Sequence, residues 1–166
     1  MRAYYFGNMY LSSIQQGIQA AHVTAEMLLK YVTITEDYEV TANPKRIMAW
    51  QWARDHKTMV LLNGGYGETI RNLIEFFDDI ENPYPWAEFY EGEDALDGAL
   101  TDVGIILPEK IYAGSSELRS NPAAPQLLLE EGCLGLFTGT PEARTEEYSR
   151  WEAQLMGKLN TFGLAK

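Results

Sequence analysis

Short apolar runs of strand length alternate along this chain with segments of helical period, and that alternation confines it to a layered α/β arrangement. Residues 3–6, Ala-Tyr-Tyr-Phe, are bounded by Gly7-Asn8 and read as a buried strand. Residues 57–62 become almost continuously apolar after Lys57 and suit a central strand covered on both faces. Residues 86–90 follow the breaks at Pro83 and Pro85 and read as a third strand; residues 100–107, ended by Pro108, read as a fourth. Between them lie helical patterns. The first is capped by Ser12 or Ser13 and carries Ile14, Ile18, Ala21, Ala25, Leu28 and Leu29 as its expected buried face. Residues 33–40 read as a short extended stretch. Asn43-Pro44 starts a helix that runs through Met48, Trp50 and Ala53. Residues 69–80 form a helix with Ile70, Leu73, Ile74 and Phe77 on one face. The order predicts a three-layer α/β sandwich with a mixed sheet of about four strands.

The last third reads differently. Residues 113–125 have loop chemistry, and residues 126–129 and 133–137 suit short strand or turn pieces. Thr140-Pro141-Glu142 is a helix start, and Tyr148, Trp151, Leu155 and Leu159 then share one helical face. That face either packs on its own domain or joins two copies in a homodimer. The expected organisation is an α/β domain over residues 1–112 and a C-terminal helical extension over residues 113–166, packed on the same domain or at an oligomer interface.

A formal net charge of −11 argues against broad, non-specific nucleic-acid binding, which depends on phosphate neutralisation. It leaves room for a local pocket. Acids gather at Glu36-Asp37, Asp78-Asp79 and residues 91–97, either as solvated surface or as a face for a basic protein partner. No apolar run approaches the roughly 20 residues of a membrane span, and the first residues are too short a run for a secretory signal. A single cysteine, Cys133, excludes an internal disulfide and is compatible with a reducing cytoplasm, the expected location. His22 and His56 lie far apart without a cysteine pair, so no metal site is expected. Asn63-Gly-Gly-Tyr-Gly67 lacks the Lys-Ser/Thr ending of a phosphate loop, and no cofactor is expected.

The chemistry concentrates where the first strand meets the first helix. Asn8 sits in the turn, and Gln15, Gln16, Gln19 and His22 follow on the helix. Each has a plain alternative: Asn8 as a turn residue, the glutamines as solvated helix formers, His22 as a packed histidine.

Three segments carry a resemblance. Gln16-x-x-Gln19-x-x-His22-Val is similar to the Gln-rich first helix of the type 2 peptidyl-tRNA hydrolases; Trp50 leading through Lys57 into an apolar strand resembles their second segment; Phe89-Tyr-Glu91, Asp94, Leu100-Thr101 and Pro108 resemble their ending. The likeness spans roughly residues 3–112 and is nearest to the small phage and bacterial relatives of that family. It implies a small α/β sandwich and, in the hydrolases, cleavage of the ester between a peptide and the tRNA 3′ ribose. Gln19, His22, Asp94 and Thr101 are the catalytic positions it implies: Asp94 or Glu91 to orient water, amides of Gln16 and Gln19 to donate, Thr101 to donate or accept. Asn8, Gln15, Gln16, Lys57 and Glu91 are the implied ligand contacts, for a tRNA 3′ end or a nucleotide-like small molecule. Where the hydrolases carry a lysine-rich turn, this chain has Tyr10-Leu-Ser-Ser-Ile-Gln15, and residues 91–97 replace their Asp-Ala-Gly-x-Thr stretch. The hydrolase motifs are thus degraded, which leaves open a non-catalytic small-ligand-binding protein or a protein-interaction module.

Overall fold

The computed structural model describes residues 1–32, 43–120, 128–130, 133–135 and 147–165. They fall into two compact units, Met1–Leu107 with the tail from Gly163, and Pro108–Phe162.

The first unit is built on four strands: β1 (Arg2–Gly7), β2 (Met59–Asn63), β3 (Trp86–Tyr90) and β4 (Leu100–Leu107). Their order is β2-β1-β4-β3, with β1 parallel to β2 and β4 antiparallel to both β1 and β3. Helices α1 (Ser13–Val32) and α2 (Pro44–Gln51) lead into a π-helical turn (Trp52–His56); α3 (Gly67–Phe77) follows β2, and α4 (Glu93–Leu96) is a single turn before β4. On one face of the sheet, Ala3, Tyr5, Ala87 and Ile106 pack with Ala20, Val23, Met27, Ala49 and Trp52. On the other, the ring of Phe77 from α3 meets Phe6 and Trp86. The unit is therefore a helix–sheet–helix sandwich with a mixed four-stranded sheet. Among the described residues no helix is long and apolar enough to cross a membrane.

Several local expectations are corrected. The strand expected at residues 57–62 lies at the sheet's edge, not its centre. Its outer side is taken by the tail, through Asn63 N–H to Gly163 O and Ala165 N–H to Leu61 O, 2.9 and 3.0 Å. The expected cover on both faces is also partial: Leu62 is buried, Val60 and Leu61 are half-buried and Met59 is 42% exposed. The phase of α1 is also shifted. Its buried residues are Gln16, Gln19, Ala20, Val23 and Met27, whereas Ile14 is 78% and Leu29 63% exposed. Both stripes have helical period, and fit to the sheet selects between them. Gly104 lets α1 settle close, because a Cβ there would lie 2.8 Å from the Tyr5 ring and 2.9 Å from Val23. In α2 and the π-helical turn Ala49 and Trp52 are buried while Trp50 is exposed, with the Arg54 guanidinium 3.9 Å from its ring centre. The N-terminus of α2 follows expectation: Asn43 accepts from Lys45 N–H ahead of Pro44.

The second unit holds α5 (Glu109–Ser120), α6 (Arg150–Leu159) and the antiparallel strands β5 (Leu128–Glu130), β6 (Cys133–Gly135) and β7 (Glu147–Ser149). Residues 113–120, expected as loop, are helical. Their Gly and Ser content serves packing: a Cβ on Gly114 would come within 2.8 Å of both the Met156 sulfur and the Tyr148 hydroxyl. The last helix begins at Arg150, where Ser149 and Glu152 close a reciprocal capping box. Tyr148 is thus in a strand, buried alongside Trp151, Leu155 and Leu159. The start expected at Thr140-Pro141-Glu142 and the stretch 33–40 lie outside the described residues.

Candidate functional site

Polar groups converge at the end of the sheet where the parallel strands β1 and β2 finish and β4 begins, the end at which open α/β sheets place ligands. Backbone contacts lock that end together. Gly64 N–H donates to Gly7 O (2.8 Å), Asn8 N–H to Thr101 O (2.8 Å) and Met9 N–H to Gly65 O (2.9 Å). Gly64 allows this approach, since a Cβ there would sit 2.6 Å from Phe6 O.

The register of β3 on β4 slips between Phe89 and Tyr90: Phe89 opposes Asp102 and Tyr90 opposes Leu100, leaving Thr101 as the extra residue of a bulge. Thr101 is buried, and its hydroxyl lies 3.3 Å from Gln19 Oε1 and 3.4 Å from Phe89 O. Its one proton can serve only one of these acceptors at a time. Gln19 in turn donates from Nε2 to Glu91 Oε1 at 2.6 Å. A carboxylate, an amide and a hydroxyl from three elements are thereby linked, the glutamine and threonine buried and the glutamate half-buried.

Beside this chain stand groups with unused capacity. Gln16 is 4% exposed, and its Oε1 has no hydrogen-bond partner among the described residues; it lies 2.9 Å from where a Cβ on Gly7 would be. Asp102 is 1% exposed, and neither carboxylate oxygen makes a hydrogen bond of full geometry. Burial pushes its carboxyl well above the usual carboxylate range, opposed only in part by the nearby backbone N–H groups of Val103 and Phe6. Tyr5 donates to Thr24 Oγ1 at 2.6 Å, while Thr24 donates to Ala20 O. Burial raises the Tyr5 phenol to about 12, with the Thr24 bond lowering it and the Asp102 charge adding to the rise.

The expected site residues divide. Gln19, Thr101 and Glu91 come together, with Gln16 alongside. Asn8 shares the locked backbone, but its side chain accepts from Tyr10 N–H at 3.2 Å, which is turn chemistry. Gln15 is a capping residue: its Oε1 accepts from Ser12 N–H and the Ser12 hydroxyl, both at 2.9 Å. His22 is exposed and stacks on Phe89, ring centres 4.5 Å apart and planes at 11°; no hydrogen bond joins it to Gln19 or Glu26 among the described residues. Asp94 stands exposed on α4. Lys57 lies at the opposite end of the sheet, next to the Ala3 N–H to Thr58 O bond, where its backbone turns left-handed at φ 53° to end the π-helical turn. Asp102 and Tyr5 were not among the expected residues. An acid within the mostly apolar run of residues 100–107 was the available signal for Asp102.

Among the described residues no three His, Cys, Asp or Glu side chains gather as metal ligands would. A scan of the chain against protein-family models finds no matching family, and a search of curated proteins finds no matching relative.

Proposed function

We propose that this chain is a peptidyl-tRNA hydrolase type 2-like protein whose polar sheet end binds the ribose terminus of a nucleotide or RNA strand. The observation that carries the reading is Gln19 held between Glu91 and Thr101 at the carboxyl ends of the parallel strands. A vicinal diol offers two donors and acceptors to this set: Glu91 accepts, Gln19 and Thr101 do either. A bare phosphate suits it poorly, because the only full charge in the linked trio is negative. The set supports recognition of the hydroxyl-bearing end more directly than cleavage of an ester there, for which developing negative charge needs donors.

The test is calorimetric titration with adenosine and with 2′,3′-dideoxyadenosine. Losing the hydroxyls should weaken binding roughly tenfold, and Gln19→Ala should erase the difference. Equal binding of the two nucleosides would sink the reading. Peptide release from a model peptidyl-tRNA, above a heat-killed control and lost in Gln19→Ala, would extend it to catalysis. A second reading, an interaction module for a basic protein, draws on the exposed acids Glu93, Asp94 and Asp97. It expects salt-sensitive capture of such a partner, weakened when Glu91, Glu93 and Asp94 are neutralised together.

A further inference from the structure

Next to the linked trio stands a feature that ribose recognition leaves unused. Tyr10 is 79% exposed and Tyr66 54% exposed, and their rings meet edge to face, centres 5.4 Å apart at 63°. Tyr10 belongs to the turn between β1 and α1, and Tyr66 to the turn between β2 and α3. The Met9–Gly65 and Gly64–Gly7 backbone bonds tie the two turns together, so the pair rests on a fixed base. The Asn8 N–H bond to Thr101 O places that base against the trio. Tyr10 follows two residues later, within about 7 Å of chain. The Arg71 guanidinium lies on the Tyr66 side, 3.5 Å from where a Cβ on Gly67 would be. It makes no ion pair or hydrogen bond among the described residues.

Two tyrosines this exposed give up little apolar burial to the fold, and the edge-to-face geometry with 79% of Tyr10 exposed leaves a ring face open. A planar π-system with a nearby guanidinium is the recognition chemistry of an unpaired base. Arg71 as the cation beside Tyr66 and a chain charge of −11 limit the fit to a single nucleoside or strand end rather than a run of phosphates. We propose that Tyr10 and Tyr66 form a stacking ledge for the base of the nucleoside or RNA 3′ end whose ribose reaches Gln19 and Glu91; this rests on the function proposed above.

The experiment titrates the full chain and its Tyr10→Ala, Tyr10→Phe and Tyr66→Ala variants with adenosine and 2′,3′-dideoxyadenosine. Both rings are exposed, so the variants should fold like the parent, with unchanged circular dichroism as the check. Tyr10→Ala should weaken adenosine about tenfold, and Tyr10→Phe should bind like the parent, because stacking needs the ring and not the hydroxyl. The preference for adenosine over its dideoxy analogue should survive in every variant. Adenosine binding that depends on the hydroxyls but ignores both tyrosines overturns the ledge and leaves the ribose reading standing. Binding that depends on Tyr10 but ignores the hydroxyls supports the ledge and overturns the ribose reading. Absence of nucleoside binding overturns both.

Discussion

Each unit holds a group of buried and part-buried polar side chains, and the two groups differ in how completely they are bonded. In Pro108–Phe162 the group is closed. Ser115 donates to Asn160 Oδ1 at 2.9 Å, Asn160 Nδ2 donates back to Ser115 O at 3.0 Å, and Lys110 pairs with Glu152 at 2.7 Å while Glu152 also completes the α6 cap. In Met1–Leu107 the group is open: among the described residues Gln16 Oε1 has no partner, and the Asp102 oxygens have only the nearby Val103 and Phe6 backbone N–H groups, short of full hydrogen-bond geometry. A buried polar atom without a partner costs more than a typical hydrogen bond contributes. The closed group reads as architecture, each member fixing a helix end or a helix pair. The open group carries a cost that the nearby backbone N–H groups offset only in part, the pattern of a site that keeps capacity for something outside the chain.

The largest effect should come from the closed group. Glu152→Ala removes the reciprocal half of the capping box and the ion pair to the part-exposed Lys110, and should destabilise the second unit by about 2 kcal/mol. Hydrogen exchange of the α6 amides measures this, and a loss under about 1 kcal/mol would mean that the closed group is no more cohesive than the open one.

Asp102→Leu should act in the opposite direction. Removing a buried carboxyl that no cation pairs among the described residues should stabilise the first unit by about 1 kcal/mol at neutral pH in urea unfolding. A loss of similar size would show that the Val103 and Phe6 N–H groups outweigh the cost of burying Asp102. The pH dependence separates these cases. The folded pKa of Asp102 is raised, so between the unfolded value, about 3.9, and that raised value the folded state holds a proton that the unfolded state has released. Stability should therefore fall as pH rises through this window and recover on acidification. In Asp102→Leu that slope should flatten.

The smallest effect belongs to Gln16→Met, which keeps shape but removes the orphan oxygen. Its stability change should stay within about 0.5 kcal/mol, read by thermal melting. A loss well beyond that would mean the amide is part of the closed architecture.

Much of the first unit was legible in order and type. Residues 86–90 and 100–107 are strands with the expected bounds, and Asn43-Pro44 starts its helix. These signals are local, since a run of strand length between breakers or a capping side chain acts on its own neighbours. The same logic failed for Gly114 and Ser115, whose composition suits a loop in isolation but lets α5 meet Tyr148, Met156 and Asn160. For the site, Gln19, Thr101 and Glu91 were named from the chain, but Gln15 proved a cap and Lys57 lies at the far end of the sheet. Spacing places residues on a helix; it does not say which strand end they reach.

What the sequence determined by itself is the alternation of periods, and with it the layered α/β class, because apolar spacing and turn chemistry act within a few residues. Which face of α1 is inside was decided only by tertiary structure. Ile14, Ile18 and Leu29 offer more apolar area than Gln16, Gln19 and Ala20, yet the glutamine face is buried. The close approach at Gly104 and the bulge at Thr101 lie some eighty residues away along the chain, and no local pattern in α1 can register them.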